Sequence, residues 1–171
     1  MLCKYFSLVS TPALTTIITP KYSAVLQFTS ILFSVPAMYA FRNNLHFYGI
    51  FSVFTSTISF VYWLYPINGW RRNIDSVYAK LTFLLYTSSG IIFVPLGFLS
   101  FVFYLLVALL VYFYILSCFY FPKNNWIYFH TLFHLTAIYL KFYVLYYMKE
   151  IYDIDYCSSN MQSSIYSLNY C

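Results

Sequence analysis

Charge is what this chain has least of. Only 8% of its 171 residues are Asp, Glu, Lys or Arg, against about 25% in a soluble domain. Between Leu81 and Phe121 there is no charged residue over roughly 40 positions. Hydrophobic residues make up 62% of the sequence, more than a soluble fold of this length can hide. The net charge of +5 does not signal nucleic acid, because the basic residues stand singly between apolar blocks rather than on one face. Residues 1 to 20 lack the unbroken apolar run of a signal peptide and are broken by Lys4, Pro12 and Pro20. No Asn-X-Ser/Thr acceptor occurs, and the 4 Cys do not follow a zinc-finger spacing. Acid is scarcer still: Asp75 is the one carboxylate before Glu150.

What remains is a series of apolar blocks, each near the roughly 20 residues a membrane helix needs. The expected fold class is all-α, a polytopic transmembrane bundle of about five spans. A segment 1–21 precedes spans at about 22–41, 47–65, 75–94, 98–121 and 127–148, and a polar tail covers 149–171. Pro36 predicts a kink near the exit of the first span. Arg42-Asn-Asn44 and Pro66-Ile-Asn-Gly-Trp-Arg-Arg-Asn73 read as turns, and Pro95-Leu-Gly97 as the tip of a helical hairpin. Lys4, Lys21, Arg71, Arg72 and Lys123 fall on one side of this topology, with Lys80 close by, whereas Arg42 and Lys149 fall on the other. The positive-inside rule then makes the N-terminus cytosolic. Lys141 lies inside the last span, two turns from its expected end, where it would snorkel to the surface. Cys157 and Cys171 share the non-cytosolic tail, so either a disulfide or two thiols is expected there.

Chemistry is expected where the spans meet the cytosolic side. His130 and His134, in His130-Thr-Leu-Phe-His134, are four residues apart on one helix, so their imidazoles lie on one face and can share a metal. Asp75 opens the third span and Ser59 lies near the end of the second. The topology brings all four within a few turns of the same membrane face. Cys118, near the end of the fourth span, meets the same test, and a thiolate binds zinc well. His46 fails it, because it belongs to the opposite face.

The order Ser59, then Asp75, then the His130 and His134 pair in the last span resembles the CREST superfamily of membrane hydrolases, which includes alkaline ceramidases and adiponectin-type receptors. The resemblance covers about two thirds of the chain. It implies zinc held by His130 and His134, water held or deprotonated by Asp75, and a scissile carbonyl bound by Ser59. The family has a third His four residues after its Ser, and that position here is Trp63; it also has seven spans rather than five. Cys118 is the candidate third ligand in place of that His.

The expected function is therefore a multi-pass integral membrane protein that hydrolyses a lipid amide or ester at a zinc site, with membrane lipid as its partner and no nucleic acid. The alternative is a non-catalytic membrane protein that binds lipid or partner proteins through its helices. In that case the His pair is interfacial or hydrogen-bonded between helices, Asp75 caps its span or pairs with Arg71 or Arg72, Ser59 packs, and Cys118 is a small buried hydrophobe. A transporter or channel is not indicated, because the sequence shows neither paired broken helices nor a row of polar residues through the membrane.

Overall fold

The structure, a computed structural model, describes residues 20–66, 69–121 and 125–168, with side chains to Tyr152. These residues form α1 (Pro20–Ile31), α2 (Ser34–Arg42), α3 (His46–Leu64), α4 (Trp70–Phe93), α5 (Phe98–Tyr120) and α6 (Trp126–Leu168). There is no strand among them. Three rods are long and apolar enough to cross a membrane: Pro20–Arg42, His46–Leu64 and Phe98–Tyr120. Cys171 lies outside the described residues and so does the side chain of Cys157, which leaves their expected disulfide outside them too.

Several boundaries differ from expectation for local reasons. The first rod breaks at Leu32 and Phe33, one turn before Pro36. A proline ring clashes with the carbonyl four residues earlier and offers that carbonyl no N–H, and here that carbonyl belongs to Leu32. The chain tightens there, with Phe33 N–H donating to Ser30 O at 3.2 Å and Val35 N–H to Leu32 O at 3.1 Å. The expected helical hairpin is present, α4 ending at Phe93 and α5 starting at Phe98. Its last residue, Gly97, has a φ of +117°, a conformation an L side chain avoids. Ser100 closes the turn by donating to Gly97 O at 2.8 Å. α6 continues unbroken through the described part of the polar tail, to Leu168.

The bundle is inside out by the standard of a soluble protein. The buried residues of α3 are Gly49, Ser52, Thr55, Ser56, Ser59, Tyr62 and Trp63, while Phe47, Ile50, Phe54 and Val61 of the same helix are exposed. Such a pattern is the one that suits a lipid surround, because apolar side chains gain nothing by leaving hydrocarbon, whereas small residues allow close helix approach and hydroxyls pair across it. On one side of α3, Ser30 donates to Ser59 Oγ at 3.1 Å and Ser56 to Ser30 O at 2.8 Å. On the other, Thr55 pairs with Thr82 at 3.0 Å, Ser52 with Tyr86 at 2.8 Å and Tyr48 with Ser89 at 2.7 Å. At the end of α3 the carbonyl of Trp63, one of the acceptors a helix terminus leaves unpaired, receives Gln27 at 3.0 Å and the hydroxyl of Ser23.

The rods alternate in direction. Leu26, Tyr62, Trp63, Trp126 and Ile127 cluster together with Tyr120 and Phe121, which gathers α1, the end of α3, the end of α5 and the start of α6 at one end of the bundle. α6 is the common support, touching α1, α2, α4 and α5, and α5 rests almost wholly on it. Where α4 and α5 do meet, Gly90 faces Phe103, which is 1% exposed. A Cβ at residue 90 would lie 2.1 Å from that enclosed ring. Gly90→Ala is expected to destabilise the bundle by about 1–3 kcal/mol through overpacking. Denaturation in mixed SDS micelles measures this, and wild-type stability in the variant would contradict the packing.

Candidate functional site

Ser59, Asp75 and His134 line one cavity, with His130 beside His134. Asp75 lies in the second turn of α4, because the helix begins at Trp70, earlier than expected, with Arg71 stacked on the Trp70 ring at 5.5 Å. The helix is capped by Gly69 without a side-chain hydrogen bond, so Asp75 is not a cap. Its carboxyl accepts a hydrogen bond from Ser59 on α3. Ser30 Oγ on α1 lies 3.1 Å from Ser59 Oγ and shares its single proton between that oxygen and Leu26 O at 2.7 Å.

His130 and His134 lie side by side on α6, ring centres 4.8 Å apart. Each is held by a hydroxyl that the sequence did not single out. His130 Nδ1 is 2.9 Å from Ser117 Oγ, and His134 Nδ1 is 2.9 Å from Thr29 Oγ1. Thr29 already donates its single proton to Leu26 O at 3.1 Å. Its oxygen therefore accepts from His134 Nδ1–H, which leaves Nε2 as the acceptor nitrogen of that ring. Trp63 packs edge-on against His130 with ring centres 5.2 Å apart, and Trp126, stacked on Trp63 at 6.2 Å, also borders His130 at 5.6 Å. His46 is exposed at the start of α3, beside Phe41 at the far end of the bundle.

Lys141 is the main departure. It does not snorkel: it is 3% exposed, and α6 runs on well past it. Its Nζ has no hydrogen-bond partner among the described residues and sits 4.8 Å from the centre of the Phe33 ring and 5.3 Å from that of Tyr86. The break between α1 and α2 is what presents Phe33 to it.

Between these groups lies a partly open cavity of about 60 Å³. Ser59, Asp75 and His134 line it, and so do Thr55, Thr82, Tyr86 and Lys141; the remaining walls are apolar, among them Phe33, Phe83 and Leu110. Two opposite ionisable groups thus face one space inside a helix bundle. No family model, curated protein or solved structure matches the chain.

Zinc finds an incomplete set of donors here. The two imidazoles are adjacent and hydrogen-bonded through Nδ1, as metal-binding histidines usually are. Among the described residues, however, no three His, Cys, Asp or Glu side chains come together as a metal ion requires. α5 turns Ser117 to His130, and the half-buried Cys118 does not complete a ligand set. A catalytic zinc with three protein ligands therefore does not fit the described residues.

Proposed function

We propose that the chain is a five-span integral membrane protein, N-terminus cytosolic, that seats the polar part of a membrane lipid at the mouth formed by Ser59, Asp75 and His134. One observation carries this reading: a carboxyl, a hydroxyl and an imidazole line a partly open cavity whose other walls are largely apolar. A lipid amide or hydroxyl matches that lining, since it offers a donor to Asp75 and an acyl chain to the Phe and Leu walls. The scatter of Lys and Arg supports the orientation.

A second reading, a lipid amide or ester hydrolase of the CREST type, is favoured by the Ser59–Asp75 hydrogen bond and by the position of residue 63 against His130. On that reading the chain keeps the scaffold of a zinc site, with Trp63 in the place of its third imidazole.

Lipid retained by the purified chain tests the first reading. Ala79 lines the cavity beside Asp75, and Ala79→Leu fills the space while leaving Ser59, Asp75 and His134 in place. Mass spectrometry of the extracted lipid should find the occupant reduced by about tenfold, equivalent to ~1.4 kcal/mol of binding. The same lipid in the same amount from both proteins would refute a binding site at this cavity.

A further inference from the structure

We infer that Lys141 is a covalent attachment site, whose amine condenses with a long-chain aldehyde entering the cavity from the surrounding lipid to give an imine. The starting observation is a primary amine that no other group holds. Lys141 is 3% exposed and lines the cavity, and its Nζ has no hydrogen-bond partner among the described residues. The ring centres of Phe33 and Tyr86 stand 4.8 and 5.3 Å from it. A lysine in a membrane helix ordinarily pairs with an acceptor or reaches the surface along its stem. Lys141 does neither. A lysine desolvated in an apolar pocket is the setting in which the amine acts as a nucleophile towards a carbonyl. With no hydrogen bond to break, its flexible four-carbon stem can turn Nζ from the rings into the cavity.

The shape of the cavity selects the carbonyl compound. Its volume of about 60 Å³ is room for roughly four to six groups the size of a water. A carbonyl and the first methylenes of one chain fit, whereas a glycerol ester with two chains does not. Ala79 and Phe83 of α4, Leu110 of α5 and Phe133 and Ala137 of α6 form an apolar wall. α4 and α5 meet near their hairpin, where Gly90 faces Phe103, and α5 otherwise rests on α6. The rest of a single alkyl chain therefore leaves between Phe83 and Leu110 towards hydrocarbon. An aldehyde presents one unhindered carbon to the amine and needs no leaving group other than water.

The condensation is redox-neutral and balances. The amine nitrogen bonds to the carbonyl carbon, the C–O π pair passes to oxygen, and one proton moves from nitrogen to oxygen to give a carbinolamine. The C–O bond then breaks as Asp75, acting through water, supplies a proton and the hydroxyl departs as water. The nitrogen lone pair closes the C=N bond, and the remaining N–H proton returns to Asp75. Asp75 lines the same cavity and is held by Ser59. It stands about 16 Å along α4 from Tyr86, so water in the cavity spans the gap. The attachment rests on the lipid reading only in that an alkyl chain must enter this cavity; it uses the end at Lys141 and not the mouth at Asp75.

Reductive trapping tests it. The full chain, reconstituted in phosphatidylcholine vesicles that carry no primary amine, is exposed to hexadecanal and sodium cyanoborohydride at neutral pH, which turns an imine into a stable secondary amine. Peptide mass spectrometry should find the hexadecyl group on Lys141 about tenfold or more above Lys21 and Lys80, both of which are exposed. Excess hexadecanol, the same chain without the carbonyl, should slow labelling of Lys141 and leave that of Lys80 unchanged. Ala79→Leu should slow it likewise. An unlabelled Lys141 in the folded chain would overturn the attachment, as would labelling no greater than at Lys80 or labelling that hexadecanol does not suppress. Co-purified lipid that falls in Ala79→Leu, with Lys141 unlabelled in wild type, would overturn the attachment alone. Labelled and hexadecanol-protected Lys141, with co-purified lipid equal in wild type and Ala79→Leu, would support the attachment and overturn the lipid seat alone.

Discussion

Trp63→His turns the imidazole pair into a zinc centre. The purified variant should hold about one zinc per chain after dialysis against a weak chelator, as three protein ligands plus water permit. The wild-type chain should hold little. The geometric basis is quantitative: with Zn–N near 2.1 Å and each ring centre about 1.1 Å further out, two imidazoles at the tetrahedral angle stand ~5 Å apart. The Trp63–His130 and His130–His134 separations are 5.2 and 4.8 Å. His is smaller than Trp, so it fits the space, and the hydroxyls of Ser117 and Thr29 already orient the other two rings. Adding His134→Ala should abolish the gain. Stoichiometric zinc in the unmodified chain would show that a third donor exists after all and would favour the hydrolase reading. No zinc in Trp63→His would remove the geometric support for that reading.

Lys141→Met should make the protein more stable. A cationic side chain at the centre of a membrane helix costs ~2.5–3.5 kcal/mol on insertion scales, and Lys141 has no hydrogen bond to offset it, only the faces of Phe33 and Tyr86. Cation–π contact returns about 2 kcal/mol at most when desolvated. Methionine keeps most of the aliphatic stem and its packing. The expected gain is about 1–2 kcal/mol in mixed-micelle denaturation. A loss of similar size would mean that the ammonium is structurally paired.

The sequence by itself determined the apolar exterior and the end of the bundle where the polar residues gather. Scarcity of charge dictates an exterior of apolar side chains, and the position of Asp75 relative to Ser59, His130 and His134 follows from helix parity, since alternate rods present alternate ends to the same face. Pro95-Leu-Gly97 marked its hairpin because backbone chemistry acts locally. The partners of these groups were decided only by tertiary structure. Thr29, Ser30 and Ser117 look like any hydroxyl in an apolar run, and they matter because α1 and α5 rotate them towards α3 and α6. Lys141 shows the same limit most plainly. Distance from an expected helix end suggested a snorkelling lysine, but the continuation of α6 removes that end, and the break at Leu32 and Phe33 sets an aromatic ring beside the amine in the interior. A one-dimensional hydropathy pattern gives depth, which is additive along a helix, whereas azimuth depends on which faces interlock. A buried charge, a cavity and a file of hydroxyls are all properties of azimuth.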